Sequence, residues 1–146
     1  ILLNIVKLSD TSVRDIMTPR VSVEALEAGL SWNDVKSKAV ECGFSRLPVY
    51  KDTIDNVMGF LYIKDMVGFI NEEEKFDWTK HIRKAYFVPG TKRINDLLEE
   101  FRQKKIHLAV VADEYGGMQG IVTLEDILEE IVGEISDETD ITENNQ

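Results

Sequence analysis

The 146 residues are 43% hydrophobic and 30% charged, which fits one ordinary domain with a buried core and excludes disorder along the whole length. The longest stretch without Asp, Glu, Lys or Arg, Tyr115 to Leu124, is ten residues, against the roughly 18 or more of a spanning helix, and the single cysteine, Cys42, excludes an internal disulfide. Net charge is -10, but residues 129–146 hold seven acids and no base, so the body lacks the Lys/Arg stripe with interleaved aromatics that nucleic acid requires.

The chain starts at Ile rather than Met and shows no leader pattern, so residues 1–12 read as an upstream connecting segment of a longer protein; Ile1 to Leu8 either continue a connecting helix or pack on the module. Next comes Val13-Arg-Asp-Ile-Met-Thr-Pro-Arg20. Ser31 and Asp34 form a capping-box pattern, Trp32, Val35 and Ala39 recur at helical spacing, and Gly43 is suited to end the helix. Two apolar runs, Leu47 to Tyr50 and Val57 to Ile63, predict a hairpin, and Met66, Phe69 and Ile70 a second helix. The same order then recurs. Ile94, Leu97, Leu98 and Phe101 mark a helical stripe, and Ile106 to Ala112 with Met118 to Leu124 form a hairpin whose turn contains Gly116-Gly117. Ile127, Ile131 and Val132 lie on a closing helix. The tail, with Asp137, Glu138, Asp140 and Glu143, reads as a solvated acidic linker in preference to a hard-cation site.

A shift of 61 positions aligns Leu47 to Ile70 with Leu108 to Ile131 without a gap, matching Leu47/Leu108, Val49/Val110, Asp52/Asp113, Gly59/Gly120, Asp65/Asp126 and Ile70/Ile131. Upstream, the helices correspond with an offset that drifts by one. The fold class is therefore α/β (α+β): two copies, residues 13–72 and 73–135, each strand-helix-strand-strand-helix, followed by the linker 136–146. A unit of about 60 residues buries only about 60% of its unfolded surface. The copies are therefore expected to share a core through their sheets, with a pseudo-twofold axis and two related clefts where strand ends meet helix starts.

This layout, with the Met-Thr-Pro-Arg opening and Gly120-Ile-Val-Thr-Leu-Glu-Asp126, resembles a tandem pair of cystathionine-β-synthase (CBS) domains over residues 13 to 135. Ser45-Arg-Leu-Pro-Val-Tyr50, His107-Leu-Ala-Val-Val, Asp113-Glu-Tyr-Gly-Gly117 and Glu129-Glu-Ile-Val-Gly-Glu-Ile135 are similar to the pair of CorC/HlyC-type (hemolysin-like, cyclin M-like) magnesium and cobalt transport proteins. The resemblance implies a regulatory module on the cytoplasmic side of a membrane protein. It also implies an adenine nucleotide, ATP or AMP, with Mg2+ bound through its phosphates, a homodimer, and a membrane-embedded transport domain as neighbour.

From spacing alone, Thr123 and Asp126 either build a capping box or face a ligand, with helix-start N–H groups and dipole for a phosphate and a carboxylate for a ribose diol. The resemblance implies a site drawn from Thr18, Phe44, Arg46, Leu47, Pro48, Thr123 and Asp126. In it Phe44 and Leu47 flank the adenine, Arg46 meets the polyphosphate and Glu125 approaches the metal through water. Each also has a plainer reading: Phe44 and Leu47 as core, Arg46 as a surface ion pair, Pro48 as an edge or rim position. Tyr62 stands where the second copy has Thr123, while Asp65 matches Asp126, so the first copy's cleft is a degenerate second site and one competent site is expected. No side-chain metal site is expected. His81 and His107 read as packing or surface histidines, and Cys42 has nothing to depress its pKa. The Glu99/Glu100 and Glu129/Glu130 pairs diverge on helices, so no catalysis is expected. The alternative function is a nucleotide-independent dimerisation or protein-interaction module.

Overall fold

The computed structural model describes residues 10–133; residues 1–9 of the connecting segment expected over 1–12, the last two residues of the second copy and the linker over 136–146 lie outside the described residues. A single helical turn, Val13–Ile16 (α1), leads into the short strand Thr18–Pro19 (β1), a 3-10 turn at Arg20–Ser22 and strand Leu26–Glu27 (β2). Helix Trp32–Cys42 (α2) follows, then strands Arg46–Tyr50 (β3) and Val57–Tyr62 (β4), and 3-10 segments at Ile63–Phe69 and Trp78–His81. The second half contains strand Tyr86–Pro89 (β5), helix Ile94–Lys104 (α3), strands Leu108–Ala112 (β6) and Met118–Thr123 (β7), and a helix over residues 124–133 (α4). Two sheets result, ordered β2-β3-β4 and β1-β7-β6-β5. In each, a parallel pair precedes an antiparallel hairpin.

Local chemistry explains the elements. Ser31 accepts from the Asp34 N–H at 3.2 Å and Gly43 ends α2 in the left-handed region. Each half has its own helix-on-sheet core, one around Trp32, Leu47, Leu61 and Trp78, the other around Leu97, Phe101, Val122 and Ile127. A third cluster joins the halves through their sheets, bringing Val57 and Phe60 against Leu108, Val110 and Ile121. The shared core expected from the size of one copy is this cluster.

Each sheet is completed by a segment that precedes the other half. Thr18 and Pro19 pair with Ile121 and Gly120, while Arg83 exchanges both backbone hydrogen bonds with Phe60, at 2.8 and 2.9 Å. That crossing explains the Gly59/Gly120 identity: a Cβ at Gly59 would lie 2.2 Å from the Arg83 carbonyl oxygen, and one at Gly120 2.3 Å from that of Thr18. Since Phe60 turns its hydrogen-bonding groups to Arg83, the opposed Pro48 occupies a position of the β3-β4 ladder that needs no N–H. The β2 pairing begins one residue later, at Val49. Pro48 is therefore buried mid-strand, a correction to its expected place at a rim.

Two further expectations are corrected. The gapless offset of 61 holds for β4 and β7 but not for β3 and β6, which correspond at 62, because the first hairpin loop spans residues 51–56 and the second 113–117. Val49 thus matches Val111, both at a bulge, and Leu47 matches Ala109. The second helix of the first copy is a 3-10 segment. Tyr62 at its N-cap makes no side-chain cap and the Asp65 carboxylate is held by Arg83, so the reciprocal cap that starts α4 is missing; Gly68 weakens the turn further.

Candidate functional site

A solvent-open cavity of about 230 Å³ lies where β7 runs into α4 and the first half's β3 comes alongside. Of the residues selected from the sequence, Thr18, Phe44, Arg46, Thr123, Glu125 and Asp126 line it. Leu47, 1% exposed, packs in the first half's core, and Pro48 is buried in β3, so neither presents its side chain to the cavity. The adenine-flanking position expected for Leu47 is corrected accordingly. Ser22, Val23, Glu24, Ser45 and Ile121 complete the lining. Sequence reading missed Ser22 to Glu24 because a two-residue strand has no periodicity to show that Thr18–Pro19 docks on the second sheet and carries the following residues to the cavity.

The capping box at the head of α4 is formed. Thr123 N–H donates to Asp126 Oδ2 at 3.0 Å, and Asp126 N–H donates to Thr123 Oγ1 at 3.2 Å. Leu124 N–H donates to the His107 carbonyl at 3.0 Å, as Ile63 N–H does to Ser45 at 2.9 Å. The N–H groups expected to be unpaired for a phosphate are thus satisfied by the chain at residues 123, 124 and 126, a correction to the reading of this helix start. What remains for an anion here is the dipole field, the hydroxyls of Thr18, Ser22, Ser45 and Thr123, and Arg46, the one cation among the described lining residues.

Arg46 projects from β3, its side chain 10% exposed, and donates from Nη1 to Glu125 Oε1 at 2.8 Å; Glu125 itself is 60% exposed at the mouth. Although burial works against it, Glu125 is held below its ordinary pKa by a bond from its own N–H and by the guanidinium. Arg46 Nη2 lies 3.5 Å from His107 Nδ1, and its guanidinium carbon lies 4.9 Å from the centre of the Tyr62 ring. Glu24, Glu125 and Asp126 line the cavity with this single cation, so the described lining carries an excess of carboxylates.

At the equivalent place in the first half, Asp65 is engaged by an arginine of the chain. Arg83 donates from Nε and Nη2 to both oxygens of Asp65, at 2.7 and 2.8 Å, with its guanidinium carbon 5.2 Å from the Tyr62 ring centre. A second concavity of about 170 Å³ between α2 and the segment Ile63–Phe69 is walled by Trp32, Val35, Ala39, Leu61, Met66 and Val67 and presents an apolar surface, the ammonium of Lys36 in its wall being bonded to the Ile70 carbonyl at 2.9 Å. His81 stacks among Phe69 and Phe76. The Cys42 thiol is pushed up by burial and by Glu24, the reverse of what a nucleophile needs. Among the described residues no helix is long and apolar enough to cross a membrane.

The CBS domain family model matches residues 80–133. The chain is 41% identical over 137 residues to the magnesium and cobalt efflux protein CorC of Escherichia coli, covering 93% of this chain and 47% of that protein. A solved structure of the CBS domain of the bacterial CNNM/CorC family Mg2+ transporter in complex with ATP matches with a TM-score of 0.85 at 40% identity, covering 90% of this chain and 94% of that one. A CBS-domain pair with bound AMP from Klebsiella pneumoniae matches with a TM-score of 0.74 at 31% identity, covering 84% and 98%. This chain spans about half the length or less of the curated relatives it matches, between 22% and 52%. Because the likeness at 40% identity runs through both halves and nearly the whole of the matched domain, the chain belongs to the CBS-domain family, in its CNNM/CorC-type magnesium and cobalt transport branch.

Proposed function

We propose that this module binds an adenine nucleotide, ATP or AMP, in the cavity at the head of α4, and that occupancy regulates an attached membrane magnesium or cobalt transport domain from its cytoplasmic side. The observation that carries the reading is the convergence of Thr18, Arg46, Thr123 and Asp126 from both halves on one cavity. The ATP and AMP held by two solved relatives support it. Phe44, 52% exposed, offers an apolar ring for the base, and Asp126 a carboxylate for the ribose. At about 230 Å³ the cavity is smaller than the roughly 300 to 1,000 Å³ of drug-sized ligand sites. The phosphates therefore lie toward its open mouth, where Glu125 stands with the Arg46 guanidinium bonded behind it.

The excess of carboxylates disfavours a bare polyphosphate, so ATP enters with Mg2+. Among the described residues no group of three or more His, Cys, Asp or Glu is placed to hold a metal ion. The phosphates supply its ligands, with Glu125 in reach through water. No nucleophile and base are paired among the lining residues, so the role is regulatory: a ligand held by both halves favours the arrangement that binds it better. A second reading, an interaction module, is favoured by the apolar groove beside α2, where Val40, Val67 and Ile70 are 85%, 61% and 55% exposed. That surface fits homodimerisation through the CBS modules.

Thermal melts with ATP and AMP, with and without Mg2+, test the reading. Ligand at 100 times Kd adds about 2.7 kcal/mol to apparent stability, and Thr123→Ile or Asp126→Ala abolishes the gain while the chain stays folded. Melts unmoved by any nucleotide, with a dimer in sedimentation, select the interaction module. A melt of Asp126→Ala that still shifts as the parent does places the pocket elsewhere.

A further inference from the structure

We propose that Tyr62 is a positioning residue for the phosphates: its ring holds Arg46 toward the cavity, so that the first half's cleft serves as the back wall of the nucleotide site. This rests on the functional reading above and extends it to a residue that does not line the cavity. Arg46 and Tyr62 are direct cross-strand partners on β3 and β4. The two guanidinium carbons of Arg46 and Arg83 lie 4.9 and 5.2 Å from the Tyr62 ring centre. Two like charges share one ring because each has its own carboxylate, Glu125 for Arg46 and Asp65, bidentate, for Arg83. The chain of groups Glu125, Arg46, Tyr62, Arg83, Asp65 runs from the head of α4 to the Ile63–Phe69 segment and spans both halves.

The arrangement matters because the head of α4 has already committed N–H groups to Asp126, His107 and Thr123, so that beside the hydroxyls of the lining Ser and Thr residues Arg46 is the one charged donor to a phosphate among the described lining residues. A cation-π contact uses no N–H, so it fixes the guanidinium while leaving its hydrogens for anions. A phosphate then displaces Glu125 from a guanidinium that is already in place. Without the ring, the long side chain must be ordered by the ligand itself, which weakens binding of every phosphorylated ligand and leaves the nucleoside end untouched.

Isothermal titration of the full chain with adenosine, AMP and Mg-ATP separates these effects. Tyr62→Phe, which keeps the ring, should bind all three as the parent does. Tyr62→Leu should lose about fivefold or more in affinity for AMP and Mg-ATP with adenosine unchanged, and Tyr62→Gln replaces it if the Leu variant fails to fold. Binding of Mg-ATP by the non-aromatic variant at the parent's affinity, or an equal loss for adenosine and Mg-ATP, overturns the inference alone. A parent chain that takes up none of the three overturns the functional reading and the inference with it.

Discussion

Gly59 and Gly120 show how a single atom sets the join between the halves. Neither glycine has a positive φ, so backbone freedom is not the reason for either. Each lies under a backbone carbonyl, Arg83 or Thr18, belonging to the strand that arrives from before the other half. Backbone cannot swing aside as a flexible side chain can, so an added methyl must push the crossing strand off its ladder. Gly59→Ala and Gly120→Ala should each lower stability by at least the roughly 1 to 3 kcal/mol typical of overpacking, read from urea midpoints. Gly120→Ala should also disturb nucleotide uptake, since Thr18 lines the cavity. A neutral substitution at both positions would contradict the crossing of segments described here. Arg46 makes the complementary point about side chains, for its near-burial follows from Tyr62 and Glu125 rather than from apolar packing.

At the scale of elements, the two copies differ in how their helices begin and end, and the differences are the parts of the fold least legible in sequence. Helices α2 and α3, both hairpins and the repeat itself could be read from periodicity, caps and turn residues. So could a cluster of six cavity residues, once motif resemblance supplied Thr18, Phe44 and Arg46 beside Thr123, Glu125 and Asp126. What escaped was set by contacts distant in sequence: the 3-10 form of Ile63–Phe69 follows from Arg83 taking Asp65, and the pairing of Leu47 with Leu108 slipped because a one-residue difference in loop length makes Ala109 its equivalent. Helix ends offer a direct comparison. Gly43 closes α2 at φ 68°, and its counterpart Lys105 closes α3 at φ 56°, a left-handed conformation that a side chain disfavours. Lys105→Gly should therefore raise stability by up to about 1 kcal/mol and Gly43→Ala lower it by about the same, measured by urea unfolding. A loss of stability in Lys105→Gly would mean that this side chain contributes more than its backbone strain.

For the whole molecule, the decisive feature is that neither half is complete alone: β1 belongs to the second half's sheet, Arg83 to the first half's ladder, and the third core cluster to both. A clamp on the hairpin side reinforces this join. Asp55, in the first half's hairpin loop, accepts from the Met118 N–H of the second half at 2.9 Å and is ion-paired with Arg20, which also donates to the Met118 carbonyl at 3.2 Å. Arg20 sits between Thr18 and Glu24, so the clamp anchors the segment that reaches the cavity. The Arg20 guanidinium, then the Met118 N–H, hold the Asp55 carboxyl below its ordinary pKa of 3.8. A depressed carboxylate stabilises the fold at pH values above 3.8, and that contribution fades as pH falls through the lower folded value. Asp55→Asn, a neutral isostere, should thus be less stable than the parent at pH 7. The gap in urea midpoint should narrow below pH 3.8 and close further down, where the parent's own carboxyl is protonated. A gap of constant size across that range would show that the loss comes from the loop's shape and not from the charge, and the clamp would then have no electrostatic part in holding the two halves together.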